Sequence, residues 1–318
     1  MEKFLVTGCA GFIGSHLCDR LIAEGHDVVG IDNFDPFYDR SIKEQNIARL
    51  MNNDSFQLIE GDICDDHTWN LLATEEFDCV FHLAAKAGVR PSILNPQAYT
   101  KTNIIGTQKL LDWMVESSNK RLIFASSSSV YGNNEKVPFS ENDNVDFPIS
   151  PYAFTKKSCE LMIHTYSHLY NIHAVCLRFF TVYGPRQRPD LAIHKFMKAI
   201  YNGEHITLFG DGSTSRDYTY IDDIIEGTLR SYSYVTQNEG YEIFNIGSDN
   251  PVSLYELVSI LESTTGKTAV KITLPMQSGD VNRTFADISK ASKGIGYKAK
   301  YDIHKGISHF HEWFLEGL

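Results

Sequence analysis

Several classes of protein are excluded by what this sequence lacks. No uninterrupted apolar stretch approaches the ~20 residues that cross a bilayer, so no membrane partner is expected. Six cysteines (Cys9, Cys18, Cys64, Cys79, Cys159 and Cys176) are scattered through 318 residues with no CxxC pair, which argues against a disulfide framework or a thiolate metal site. Their neighbours are mostly small or apolar, so they read as buried, reduced thiols. Basic residues are outnumbered, 29 Lys and Arg against 40 Asp and Glu, for a net charge of -11. Binding nucleic acid calls for a basic surface, so a nucleic-acid partner is not expected. A few local arginines can still set the sign of one pocket. There is no repeat, low-complexity tract or obvious flexible linker, and the opening MEKFLVTGCAGFIGSHL reads as strand and loop rather than signal peptide. A cytoplasmic protein is expected.

What is present is a mixed α/β pattern. The length and the 42% hydrophobic content suit about two domains. Short β-rich runs at 3–7, 27–32, 56–60, 79–83, 121–125 and 174–179 are interleaved with helical patterns at 12–23, 96–117 and 152–170. Such alternation gives βαβ units and a doubly wound parallel sheet covered on both faces. Past about residue 180 the turn-rich stretches YGPRQRPD and FGDGSTSRD break the pattern, and later helices are expected at 254–263 and 303–314. The expected division is a Rossmann-type domain of residues 1–180 plus about 218–247. A smaller interleaved α/β domain would take 181–217 plus 248–318.

The first strand runs into Gly8-Cys9-Ala10-Gly11-Phe12-Ile13-Gly14. Glycines at this point let the backbone turn tightly and approach a pyrophosphate, whose charge then sits at a helix N-terminus. The spacing is GxxGxxG. Asp32, at the end of the second strand, stands where an acid accepts hydrogen bonds from an adenosine ribose. A carboxylate there repels the extra phosphate of NADP and no arginine stands beside it in Asp32-Asn33-Phe34-Asp35, so NAD is the expected cofactor. Asp62, after the third strand, suits either an adenine contact or a helix N-cap.

The chemistry centres on Ser150-Pro151-Tyr152-Ala153-Phe154-Thr155-Lys156. Proline suits a first helical turn, which places Tyr152 and Lys156 on one helical face. A phenol of pKa ~10 is a poor base at neutral pH, but an ammonium at ~4 Å would lower that by roughly 3 units. The phenolate could then take a proton from a sugar hydroxyl as hydride leaves for NAD. His164 and His168 lie one turn apart with no third ligand evident, so packing or surface roles are expected and no metal.

Taken with FHLAA, FASSSSVYG, LRFFTVYGPR, FGDGSTSRDYTYIDDI, FNIGS and ADISKA, these motifs resemble the extended short-chain dehydrogenase/reductases over nearly the whole chain, in particular the nucleotide-sugar epimerases and dehydratases. The resemblance implies that Ser127 is the third catalytic residue, aligned from the VYG end, with Ser128 the next candidate. It implies that Lys156 bonds the nicotinamide ribose. Around the cofactor it places Asn33 and Ile63 beside Asp32 and Asp62, and Leu83, Ala84, Ala85, Lys86, Asn103 and Phe179 further along. It also suggests a homodimer through the helices at 96–117 and 152–170.

Members that dehydrate or decarboxylate usually carry an acid just before VYG, where this chain has Ser127-Ser128-Ser129. Without that acid the expected outcome is oxidation to a 4-keto sugar, rotation, and hydride return to the other face. Net, that is 4-epimerisation. DNFDPFYD, LAAKAGVRPS, GPRQRPDLAIHKF and MQSGDV look most like UDP-glucuronate 4-epimerases, although a UDP-glucose or UDP-N-acetylglucosamine epimerase would use the same triad. For a sugar carboxylate the candidate partners are Ser128, Ser129 and Thr181 as hydroxyls, and Arg186 or Arg188 as a bidentate cation. Arg90 joins the substrate candidates. Arg216 is expected on the diphosphate, with Lys195 a weaker alternative, and Asp280 on the UDP ribose. An arginine that many epimerases carry three residues before that acid is Gln277 here.

Overall fold

The computed structural model describes residues 1–276 and 281–317. The strands are, in chain order, β1 (Lys3–Thr7), β2 (Asp27–Asp32), β3 (Phe56–Glu60), β4 (Cys79–His82), β5 (Arg121–Ser127), β6 (His173–Phe179), β7 (Thr181–Tyr183), β8 (His205–Phe209), β9 (Ser215–Tyr220), β10 (Tyr241–Ile246), β11 (Pro251–Ser253) and β12 (Val270–Leu274). Seven form one sheet in the order β10-β6-β5-β4-β1-β2-β3. Every pairing in it is parallel.

Alternation along β1 shows why the sheet is buried on both sides. Phe4 and Val6 enter one core with Leu17, Leu21 and Ile224 of the helices Phe12–Ala23 and Ile221–Val235. Leu5 enters the other, with Leu110 and Met114 of Gly106–Glu116 and Ile163 of Pro151–Tyr170. A strand with both faces covered must be apolar at every position, which is why these runs are continuous rather than alternating. All six cysteines are buried and free, as their neighbours implied.

The helix expected at 96–117 is broken into three pieces. Pro96–Tyr99 is α-helical, Thr100–Ile105 is a π turn, and Gly106–Glu116 is α-helical again. Inside the π turn the Asn103 side chain accepts from the Lys86 amide at 2.8 Å and donates to the Lys86 carbonyl at 3.0 Å. Periodicity cannot report such an insertion, because it changes the backbone bonding without changing which residues are apolar.

Beyond residue 180 the chain builds two small sheets, β11-β9-β7 and β12-β8, with the helix Ala192–Asn202 before β8. It returns to the large sheet through Ile221–Val235 and β10.

Candidate active site

A cleft of about 690 Å³ opens at the carboxyl ends of β1, β2, β4, β5 and β6, with β7 and β9 on its far wall. Strand order reverses between β1 and β4, and a crevice at such a reversal is where open α/β sheets bind ligands.

The glycine loop forms the floor. Gly8 has φ +75° and lies so close to the next strand that a Cβ there would be 2.8 Å from the Ala84 nitrogen. A Cβ at Gly14 would lie 2.0 Å from the Gly8 carbonyl oxygen, so the first helical turn can close on the loop only without a side chain. Gly11 caps the helix without any side-chain bond, leaving its first amides for an anion. Phe12 and Ile13 line the cleft with these glycines.

Asp32 is 7% exposed and accepts from the Ala10 amide at 3.1 Å and the Phe34 amide at 2.8 Å. Lys43, on the helix Arg40–Ile47, lies 3.7 Å from it, is 6% exposed and lines the same cleft. Sequence reasoning missed this lysine because it sits in an ordinary short helix, in no motif that marks a cofactor site. Asn33 and Asp62 meet through a 3.0 Å amide–carboxylate bond, and both line the cleft with Ile63. Asp62 accepts from the Cys64 amide in a turn, whereas the N-cap position of the helix that follows belongs to Asp65, so the N-cap alternative does not hold.

Leu83, Ala84, Ala85, Lys86 and Phe179 all line the cleft, and Lys86 Nζ donates to Asp35 at 2.8 Å. Asn103 is not on the cleft wall. It is 2% exposed and braces the Lys86 backbone from behind, while also donating to Thr155 Oγ1 at 2.9 Å. Below the loop, His82 bonds Thr7 Oγ1 at 2.7 Å and Thr107 Oγ1 at 3.0 Å. Burial, helped by Lys156, pushes its pKa down to about 3, so it serves as a neutral link.

Tyr152 and Lys156 stand on the first two turns of Pro151–Tyr170, whose N-terminus is closed by Ser150 Oγ accepting from the Ala153 amide. Lys156 Nζ donates to the Ala125 carbonyl at 2.6 Å and faces the Phe124 ring at 4.7 Å. Burial lowers its pKa to about 8. Burial raises that of the Tyr152 phenol, and what pulls it back is a hydrogen bond with Ser127 and the charge of Arg188. Lys156 is expected from its spacing to lower the phenol's pKa, with a nicotinamide ring helping; among this chain's own groups it is Ser127 and Arg188 that do so. The ammonium is committed to a strand carbonyl, and helical spacing could not reveal that competitor.

Ser127, Ser128 and Ser129 occupy the turn after β5, and all three face the cleft together with Thr181 on β7. Ser127 Oγ accepts from the Ser129 amide at 3.1 Å. Arg188 also lines the cleft, held by Asp190 through two bonds of 2.9 and 2.7 Å. Arg216 lines the cleft and donates to the Ser215 carbonyl at 2.9 Å. Three further candidates, Arg186, Lys195 and Arg90, are not on the cleft wall. Arg186 pairs with Asp19 at 2.7 Å, because a left-handed backbone (φ +63°) turns it toward the helix Phe12–Ala23. Lys195 is exposed on the helix Ala192–Asn202. Arg90 lies over the Phe209 ring at 4.6 Å. Gln277 and Asp280 lie outside the described residues.

His164 packs edge-on against Tyr241, with ring centroids 5.2 Å apart. Among the described residues there is no cluster of metal-ligating side chains. Tyr99, which no motif singles out, lines the cleft with its ring edge-on to Tyr152 at 6.2 Å.

The family model for GDP-mannose 4,6 dehydratase matches residues 5–310. The chain belongs to that family. It is an extended short-chain dehydrogenase/reductase, as its motifs implied. A UDP-glucuronate 4-epimerase of Thermodesulfobacterium geofontis is 42% identical over 320 residues, covering 100% of this chain and 98% of that one. Among solved structures, the UDP-glucuronic acid 4-epimerase of Bacillus cereus, in complex with UDP-glucuronic acid and NAD, matches with a TM-score of 0.94 at 40% identity, covering 99% of this chain and 100% of that one. The UDP-glucose 4-epimerase of Thermotoga maritima, with UDP-glucose, matches with a TM-score of 0.89 at 33% identity and 99% coverage of both. The family thus spans both neutral and acidic sugars, and the substrate has to be argued from the wall of the cleft.

Proposed function

We propose that this protein is a UDP-sugar 4-epimerase with NAD as its cofactor, converting UDP-glucuronate to UDP-galacturonate. The observation that carries this reading is a cleft lined by three serines and a threonine together with Arg188 and Tyr152. The relatives that turn over UDP-glucuronate support it.

The glycine loop and Asp32 fit the pyrophosphate and adenosine ribose of NAD, with Lys43 beside the carboxylate. Bound NAD supplies the acceptor, and then the donor, of one hydride. Tyr152 takes the proton of the C4 hydroxyl, and Ser127, which lines the same cleft and draws the phenol's pKa down, orients that hydroxyl. Lys156 is fixed to the sheet through the Ala125 carbonyl, one helical turn from the base. After the keto sugar rotates, the same phenol returns the proton. No carboxylate stands in the serine turn to drive elimination, so the cycle closes on the epimer.

A 4-keto uronic acid is a β-keto acid and is prone to lose carbon dioxide. Ser128, Ser129 and Thr181 can hold its carboxylate by neutral hydroxyls, and Arg188 adds charge in the same cleft. Thr181→Val or Ser128→Ala is accordingly expected to raise the yield of UDP-pentose. Absence of any pentose from both variants would sink the cage. Lys43→Met is expected to weaken NAD binding roughly 10-fold, the size of one charge-assisted hydrogen bond. An unchanged Kd in a titration of cofactor-stripped protein would remove Lys43 from the ribose site.

We also infer a homodimer through the helices Gly106–Glu116 and Pro151–Tyr170. Phe154, Leu161 and Leu169 support it, since they form an outward apolar stripe on the second helix, 46%, 57% and 61% exposed. The chain is expected to act in the cytoplasm; no helix of the described residues is long and apolar enough to cross a membrane. Incubation with UDP-glucuronate or with UDP-glucose, followed by NMR of the UDP-sugars, tests the function. Turnover of UDP-glucose alone would replace the uronate reading with the neutral-hexose one.

A further inference from the structure

Behind the serine turn a carboxylate and a guanidinium are fully buried together. Glu160 and Arg178 are each 1% exposed. Glu160 stands one helical turn beyond Lys156, and Arg178 is on β6. The pair is a two-pronged fork, Nε to Oε1 and Nη2 to Oε2, both at 2.9 Å. A buried pair of this kind is seldom more stabilising than apolar residues of the same size, so stability alone gives no reason for it.

What the pair touches gives a better one. Ser126 Oγ donates to Glu160 Oε1 at 2.6 Å, and Ser126 is the residue immediately before Ser127. Arg178 Nη1 donates to the Tyr131 hydroxyl at 3.0 Å, and that hydroxyl donates to Asn245 Oδ1 at 2.7 Å. Tyr131 closes the turn Ser128–Tyr131. One ion pair therefore grips the segment 126–131 at both ends. Between its two grips lie Ser127, Ser128 and Ser129, the hydroxyls that face the cleft.

We propose that Glu160 and Arg178 are positioning residues for the serine turn, and that through it they decide the fate of the keto sugar. The second half rests on the uronate reading above. When the turn is held, the carboxylate of the 4-keto uronate stays near the plane of the C4 carbonyl, and the C5–C6 bond is not aligned for cleavage. When the turn loosens, the carboxylate can rotate. The C5–C6 bond then breaks, its electron pair passes into the C4 carbonyl to form an enolate, and carbon dioxide leaves. Water protonates C5, and Tyr152 gives its proton back to the C4 oxygen while C4 regains the hydride that bound NAD would have taken, leaving UDP-pentose.

Two variants of the full-length protein test this: Glu160→Gln, which leaves the guanidinium without its counter-charge, and Tyr131→Phe, which keeps the ion pair and removes the far grip together with the Tyr131–Asn245 bond. With UDP-glucuronate followed by NMR, each is expected to lower the epimerisation rate roughly 10- to 100-fold and to raise the share of pentose, because a small misplacement of reacting groups costs about that much. Bound NAD, and the Kd for UDP alone, should stay at the wild-type level, because the proposed role acts only through the serine hydroxyls that meet the sugar. Folded variants with wild-type rate and product ratio overturn the proposal. So does a parallel loss of NAD, UDP affinity and rate at an unchanged ratio, which is the signature of a general core support. Should Glu160→Gln fail to fold, Tyr131→Phe decides the matter by itself. If the wild type turns over only a neutral UDP-hexose, the uronate reading fails. The positioning role is then judged on that hexose, by a fall in kcat with KM unchanged, and an unaltered kcat overturns it.

Discussion

Tyr152→Phe is expected to give a folded, NAD-loaded protein whose kcat has fallen by about 10³-fold, within the range general acid–base catalysis contributes. The ring packs edge-on against Tyr99, and phenylalanine keeps that contact. The hydroxyl is what disappears, with its bond to Ser127 and its capacity to take a proton. Binding of UDP-sugar should change little, so the loss should fall on kcat rather than KM. Single-turnover absorbance at the reduced nicotinamide band is the check, because it isolates hydride transfer from product release. A variant that still reduces bound cofactor at the wild-type rate would remove Tyr152 from the role of base.

Lys156→Met is expected to abolish most activity and yet to stabilise the fold at neutral pH. Lys156 is 3% exposed, and burial brings its pKa from 10.5 to about 8. In the unfolded chain the amine holds its proton more tightly, so between those two values the unfolded state carries the extra proton and stability rises with pH. Below pH 8 the full cost of burying the charge is present, about 3 kcal/mol at ~1.36 kcal/mol per unit. Methionine removes that cost but leaves the Ala125 carbonyl without its donor, which returns about 1 kcal/mol. The expected gain at pH 7 is about 2 kcal/mol, shrinking through pH 8 to 10.5 and gone above it. Denaturant melts of both proteins at pH 6.5 and 10, stripped of cofactor so that no difference in NAD affinity enters, measure this. A gain that grows with pH would show that the lysine is not buried as a charged group.

The two residues also show where sequence and structure part. That Tyr152 and Lys156 share a face follows from a four-residue spacing and a proline at the helix start, both local properties. That the ammonium binds a carbonyl of β5, leaving Ser127 and Arg188 to act on the phenol, depends on strands and loops far away in sequence. The arginines divide in the same way. Arg186 and Arg188 are two residues apart in one turn and carry the same chemistry on paper. A left-handed backbone at Arg186 sends it to Asp19, while Arg188 reaches the cleft with Asp190 as its partner.

By itself the sequence determined the strand–helix alternation, the glycine floor of the cofactor cleft and the acid at the end of β2. Each of these is written in local spacing, because a tight turn, a helix face or a strand with two buried sides restricts residue type at fixed intervals. It determined, too, that no acid interrupts the serine turn. Tertiary structure alone decided that Lys43 stands beside Asp32, that Asn103 braces the cofactor loop from behind, and that Glu160 and Arg178 hold the serine turn at both ends. These are contacts between residues far apart in the chain. Burial makes each of them necessary, since a charge or an amide taken out of water must find its partner wherever the fold supplies one.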